Sequence, residues 1–193
     1  MRDLTCGGRR PQPGRQPNPA HRTIPLVEPT PIKIALGCDH RGLMAANALL
    51  GHLRPDGHEV ELFGETSGRS CDYPDSAWRV CQAVSNGRAE RGILLCGTGI
   101  GMCIAANKIP GIRAALAPDE LSARLSRSHN DANVLCLSAD LIGQALVKRI
   151  VEEWLKTPFD GGRHQRRLEK IAMIERGTDP GELAEGIDLA PDS

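Results

Sequence analysis

A cysteine and three glycines share the six residues CGTGIG, positions 96–101. Successive backbone N–H groups from Gly97 through Thr98, Gly99 and Ile100 to Gly101 can form a nest for an anion. A thiol at the start of a helix is held toward its thiolate by the dipole and by nearby donors, the Thr98 hydroxyl among them. Together these suit removal of a proton beside a carbonyl, with the developing oxyanion cradled by backbone, as in a reaction through an enediolate. The competing explanation is that Cys96 is a small buried hydrophobe, the commoner fate of a free cysteine.

Three other stretches carry reactive side chains: GCDHRG (37–42) with Asp39 and His40, SHNDAN (128–133) with His129 and Asn130, and GGRHQRR (161–167) with Arg163 and Arg167. Each has a structural explanation of its own. Asp39 could cap the helix that follows it, His40 could lie on the surface, and the arginines could form a solvated face. Their convergence at one sheet edge with the thiol is the functional expectation. A dinucleotide site fits poorly: the first-strand turn crowds charge where a pyrophosphate needs bare backbone, 97–101 reads GxGxG rather than GxGxxG, and no Walker pattern occurs.

The elements that must position these residues follow from periodicity. Residues 32–37, 59–64, 92–96, 112–117 and 133–138 are short apolar runs bounded by glycine, proline or polar residues, hence strands. Helical spacing occupies 42–54, 74–85, 100–108, 119–128, 141–156 and 164–176. This alternation predicts an α/β fold with right-handed crossovers and a parallel sheet covered on both faces. Ligands of such sheets sit beyond the carboxyl ends of the strands.

Bulk properties narrow the partner. The chain has 193 residues, enough for one domain, and its 24 basic and 24 acidic residues give no net field to favour nucleic acid or an anionic membrane. No stretch approaches the roughly 20 apolar residues of a membrane span. Seven cysteines without CxxC spacing suit reduced thiols in the cytoplasm rather than disulfides or a zinc site. Residues 1–31 hold seven prolines and five arginines and read as a disordered tail; 177–193, with five acids and no base, reads as a second. The domain between them covers 32–176.

IALGCDHRG, DYP (72–74), GILLCGTGIGMCIAANKIPGIRAAL, SRSHNDANVL and FDGGRHQRRLEKI resemble the type B ribose-5-phosphate isomerases, in the family that includes allose- and galactose-6-phosphate isomerases. The resemblance covers about 32–176. It implies a Rossmann-like three-layer α/β/α sandwich with a five-stranded parallel sheet, working as a homodimer or a tetramer built from it, with sites at the subunit interface and no metal or cofactor. It further implies that Cys96 is the base moving a proton between carbons 1 and 2 of a phosphorylated sugar, with Thr98 beside it and Gly97–Gly101 as the anion hole. Some members replace the cysteine and use an acid a few residues later, which Met102 and Cys103 do not supply. His129 matches the group that assists ring opening. Asp39, His40, Tyr73 and Asn130 match substrate-binding positions, and Arg163 and Arg167 match phosphate ligands. The implied reaction interconverts D-ribose 5-phosphate and D-ribulose 5-phosphate; another sugar phosphate, or sugar-phosphate binding without catalysis, is the alternative. One departure stands out. Where many members carry an arginine that contacts the phosphate just after the fifth strand, this chain has Asp140. An acid there either caps a helix starting near Leu141, turns outward, is compensated by another base, with Arg166, His40 and Arg41 as substitutes for the missing ligand, or goes with a different preferred substrate.

Overall fold

The five apolar runs become strands in the computed structural model, which describes residues 31–183; the two tails expected from composition lie largely outside the described residues. The strands are β1 (Lys33–Cys38), β2 (Glu59–Gly64), β3 (Arg91–Cys96), β4 (Ala114–Leu116) and β5 (Val134–Ser138). All pair in parallel, in the order β2-β1-β3-β5-β4. β4 is shorter than its apolar run predicts, and Asn107 takes the place of a neighbour on its open edge. The Asn107 side chain accepts from Ala114 N at 2.9 Å and donates to Ala114 O at 2.9 Å.

Six helices alternate with the strands: α1 (Leu43–Leu53), α2 (Tyr73–Ser85), α3 (Ile100–Ala106), α4 (Glu120–Ser128), α5 (Gln144–Lys156) and α6 (Arg163–Glu175). Within the stretch that composition assigns to the acidic tail, Pro180–Glu182 forms a 3-10 turn, with Asp179 Oδ1 accepting from Gly181 N.

Strand pleat sends alternate residues to opposite faces, and the two cores record it. On one face Ile34, Leu36, Ile93, Leu95, Leu135 and Leu137 pack against α1 and α5, with Trp154 fully buried among them. On the other, Ala35, Leu94, Cys96, Val134 and Cys136 pack against α2 and α3. This is the expected three-layer sandwich. The chain runs from β1 outward to β2 and then returns to the far side of β1 as β3. A crevice therefore opens past the carboxyl ends of β1 and β3, where the winding reverses. Asp39 and His40 follow β1, and the CGTGIG loop follows β3.

Helix α5 starts three residues later than the periodicity suggests. Gly143 is its N-cap and makes no side-chain capping bond, so Asp140 does not cap it. The intervening turn is held instead by Ser138 Oγ, which donates to Gly97 O at 2.6 Å and accepts from Leu141 N at 2.9 Å.

Candidate active site

Cys96 ends β3 on the α2–α3 face, 4% exposed. Its Sγ accepts from Gly99 N at 3.2 Å. The donor beside the sulfur is thus a backbone amide of the loop rather than the Thr98 hydroxyl anticipated from sequence. Thr98 is exposed, and its Oγ1 accepts from Ile100 N at 3.3 Å. Two amides of the loop are therefore engaged by side chains of the loop itself, which shapes the turn.

The loop needs its glycines. Gly99 has φ +75, and a Cβ there would meet Leu116 Cδ1 at 2.6 Å and the Leu137 carbonyl at about 3 Å. At Gly101 a Cβ would fall 2.6–2.9 Å from the Tyr73 ring, so Tyr73, the first residue of α2, lies across the loop.

The turn after β1 adds two groups. Asp39, buried, accepts with Oδ1 from Arg41 N and Gly42 N, both at 2.9 Å, and its own N–H donates to Leu95 O. It holds the turn against β3 but does not cap α1: the N-cap is Gly42, which has no side-chain capping bond, because the Asp39 carboxylate is taken by the amides of the turn before the helix. The His40 Nδ1 accepts from Cys71 N at 3.3 Å, which makes the neutral ring the Nε2–H tautomer and leaves Nε2 for a ligand. Asp39, His40, Tyr73 and the 96–101 loop thus form one cluster.

His129, Asn130, Arg163 and Arg167 do not join it. Register pairs Gly92 with Val134 and Cys96 with Ser138, so residues preceding β5 stand at the amino edge of the sheet. The length of β5 alone, about 13 Å, separates the two edges. The expected convergence of all these groups at one edge within one chain is corrected: α4 runs back along the sheet after β4 and delivers His129 to the opposite end.

There His129 is part of a second cluster. Its ring stacks on that of His164 in α6, centroids 4.2 Å apart and planes within 8°. Asp160 is nearby, its N–H donating to Ser128 O, and ligand atoms of His129, Asp160 and His164 all lie within 4.8 Å of one another. By donor type the three could take a divalent cation. The pKa of His164 is pushed down by desolvation and then by the positive fields of His129, Arg163 and Arg167, with only Asp160 acting the other way. The positive fields of Arg163 and Arg167 on this spot suit an anion. Arg163 and Arg167, four residues apart on α6 and both exposed, share one helix face. His164 and Asp160 were not singled out from sequence, although His164 sits between the two arginines in the quoted motif. A cleft of about 530 Å³ lies between Ala114 and Ala115 of β4 and the exposed Ile171 and Ile174 of α6, with Asn130 at its wall.

Asp140 returns to the Cys96 cluster. Its Oδ2 receives both Nε (2.7 Å) and Nη2 (2.5 Å) of Arg41. Asp140 is thus paired with Arg41 and caps no helix.

The other thiols differ in character. Cys81 and Cys38 are pushed up to about 12 and about 11, chiefly by burial. Cys103, in α3, is lowered to about 7, first by its hydrogen bond with Cys136, then by a Leu116 backbone bond and by Asn107, against a desolvation that raises it.

Comparison with known proteins agrees with this architecture. The sequence profile of the family described as Ribose/Galactose Isomerase matches residues 34–171. Ribose-5-phosphate isomerase B of Escherichia coli is 47% identical over 144 residues, 75% of this chain and 97% of that protein. D-erythrulose-4-phosphate isomerase of Pectobacterium atrosepticum is 41% identical over 145 residues, 75% of this chain and 95% of that one. Among solved structures, ribose-5-phosphate isomerase B of Clostridium thermocellum superposes with a TM-score of 0.75 at 46% identity, covering 76% of this chain and 99% of its own. With its parallel five-stranded sheet and a cysteine–glycine loop at the winding reversal, the chain belongs to the ribose/galactose isomerase family.

Proposed function

We propose that this isomerase interconverts D-ribose 5-phosphate and D-ribulose 5-phosphate, with Cys96 as the base. The observation that carries the reading is the Cys96 sulfur, bonded to Gly99 N–H inside a three-glycine loop at the mouth of the sheet, with Asp39 and His40 beside it. Relatives named for this reaction, and a solved Mycoplasma genitalium relative described with bound ribulose-5-phosphate (42% identity, TM-score 0.73), support the substrate.

In the open-chain aldose, Cys96 takes the proton from C2. The electron pair passes to the carbonyl, giving a cis-enediolate whose oxyanion faces the loop backbone. Return of the same proton to C1 gives the ketose, and the hydroxyl proton moves from O2 to O1. No cofactor is needed, because the hydrogen and its electrons stay within the substrate. His129 assists ring opening by exchanging a proton between the ring oxygen and the anomeric hydroxyl, and Arg163 and Arg167 hold the phosphate, with Asn130 as a further substrate contact.

These two groups of residues stand at opposite sheet edges of one chain, which supports a homodimer in which each site takes its Cys96 half from one copy and its His129 half from the other. Exposed Trp78, Ile100 and Ile104 on the α2–α3 layer supply apolar surface for such a contact. Helix α6, whose chief neighbour among the regular elements is the 3-10 turn, is free to reach a second copy. No helix among the described residues is long and apolar enough to cross a membrane, and the six described cysteines are unpaired, which agrees with a cytoplasmic setting.

The Pectobacterium relative favours a four-carbon sugar phosphate as the second reading. A coupled assay over four-, five- and six-carbon aldose phosphates, wild type against Cys96→Ala, tests both. The expected result is highest kcat/KM for ribose 5-phosphate, and a loss of about 10²–10⁴-fold in kcat without Cys96 while substrate still binds. Near-normal turnover by Cys96→Ala removes the mechanism, and a four-carbon preference selects the second reading.

A further inference from the structure

Cys103 and Cys136 take no part in the reaction proposed above, yet their sulfurs meet. Cys136, on β5, stands opposite Leu94 of β3 and Leu116 of β4 and is fully closed to solvent. Cys103, on α3, packs half-buried against the same core. The Cys136 S–H donates to the Cys103 sulfur. Two further donors reach that sulfur, the Leu116 backbone N–H and Asn107 Nδ2, the latter at 3.6 Å. Asn107 is itself fixed, because its side chain bonds both Ala114 N and Ala114 O at 2.9 Å.

Adjacent thiols in a core are commonly packing and no more. Burial then raises both, as it does at Cys38 and Cys81. This pair departs from that pattern. The bond from Cys136, followed by those from Leu116 and Asn107, brings Cys103 down to about 7 against its desolvation. Cys136 is pushed up, first by the proton it holds in that bond and then by burial. One sulfur is thus available as an anion near neutral pH and has a path to solvent; the other keeps its proton behind it. An attacking cysteine and a resolving cysteine divide in the same way.

We propose that Cys103 and Cys136 form a hydroperoxide-sensitive dithiol, whose closure to a disulfide draws α3 onto β5 and slows the isomerase. The Cys103 thiolate attacks the outer oxygen of a hydroperoxide: an S–O bond forms, the O–O bond breaks, and the departing alkoxide recovers the proton that the thiol had released. The Cys136 sulfur then attacks the Cys103 sulfur. The S–S bond forms, the S–O bond breaks, and hydroxide leaves with the Cys136 proton as water. Two thiols are oxidised to one disulfide, and one hydroperoxide is reduced to an alcohol and water. A covalent S–S bond is shorter than any hydrogen-bonded contact between sulfurs. Closing it pulls on the helix that starts at Gly99, whose amide faces Cys96 Sγ, and a small displacement there misplaces the base. The disulfide does not depend on the isomerase reading; its effect on turnover rests on it.

The test treats the full chain with a small excess of hydrogen peroxide, maps its peptides by mass without reductant, and assays turnover in parallel. Cys96 and Cys103 share the tryptic peptide 92–108, so fragmentation at Met102 assigns the link. The expected result is a peptide joining Cys103 to Cys136 and a kcat lower by about 10-fold or more with KM little changed. A dithiol reductant should reverse both. Cys103→Ser, which keeps Cys96 and Cys136, should match untreated wild type and retain its activity through the same treatment. Cys136→Ala should leave Cys103 as a sulfenic acid that dimedone traps. A link from Cys136 to Cys96, Cys103 recovered unlinked from treated wild type, or equal inactivation of Cys103→Ser and wild type overturns the proposal. If untreated wild type turns over no aldose phosphate, the isomerase reading and the rate effect fall together, while the linked peptide is still decided by mass.

Discussion

The sulfur of Cys96 and that of Cys103 stand only seven positions apart, yet the structure gives them different tasks. Cys96 is nearly closed to solvent, and its contact is the Gly99 amide. Cys103 titrates near 7, because hydrogen bonds to its sulfur outweigh its burial. Alkylation follows the thiolate, so the iodoacetamide reactivity of Cys103 is expected to rise through pH 6–8, with a midpoint near the lowered pKa of about 7 rather than near 9.0. Mass mapping of the labelled peptides at several pH values, with Cys103→Ser as control, checks this. Labelling confined to Cys96 would remove the assignment. Active-site labelling is best measured in that variant, with protection by a phosphosugar read on the Cys96 peptide and kept apart from half-buried Cys71 by mass mapping. At His129 the expectation concerns direction. If the stacked imidazole opens the furanose ring, His129→Asn slows conversion of the cyclic aldose more than that of the ketose, which cannot close the same ring. Equal losses in the two directions, measured under initial-rate conditions with each sugar, would assign His129 another role.

Helix α3 is the element on which the thiol depends. It begins at Gly99, whose positive φ reverses the chain from β3 into the helix while its Cα lies against the Leu137 carbonyl. Alanine there meets both a strained backbone region and backbone atoms that cannot move aside. Gly99→Ala is expected to cost about 1–3 kcal/mol of stability from the backbone conformation alone. It should also lower kcat, because the amide that faces Cys96 Sγ belongs to this residue. Denaturant melts and steady-state kinetics of the variant measure the two losses. Full activity with an unchanged melt would mean that the loop adapts without holding the sulfur. The start of α5 shows where periodicity misleads at this scale. Leu141 and Ile142 continue an apolar pattern, but Ser138 Oγ takes the Leu141 amide and postpones the helix to Gln144. A side-chain bond from the end of β5 overrides spacing, and it frees Asp140 to reach Arg41.

For the whole molecule, the separation of the two clusters makes a quantitative forecast. Assayed on cyclic ribose 5-phosphate, Cys96→Ala and His129→Ala are each expected to lose nearly all activity. Unfolded together and refolded at equal amounts, they should recover about a quarter of wild-type activity. Half the dimers are then mixed, and one of the two sites in each mixed dimer is intact. Activity that stays at the level of the separate variants, with mixed dimers demonstrated by mass, would place both residues in one chain's site and overturn the shared arrangement.

Much of this molecule is written along the chain. The alternation of apolar runs and helical spacing determines the parallel sandwich, because each strand must be buried on both faces and each crossover supplies one covering helix. The cysteine and glycines of 96–101, and Asp39 and His40, could be placed at one crevice from sequence, since each directly follows a strand and all strands point the same way. His129 could have been placed as well, since it precedes a strand and so belongs to the other edge. What spacing cannot contain are contacts between segments distant in sequence: Arg41 closing on Asp140 over Gly97, His164 stacking on His129, Asn107 serving the edge of β4. Local periodicity records which face of an element is apolar. Which polar side chains meet depends on how the turns at the ends of the strands pack, and only the tertiary structure decides that.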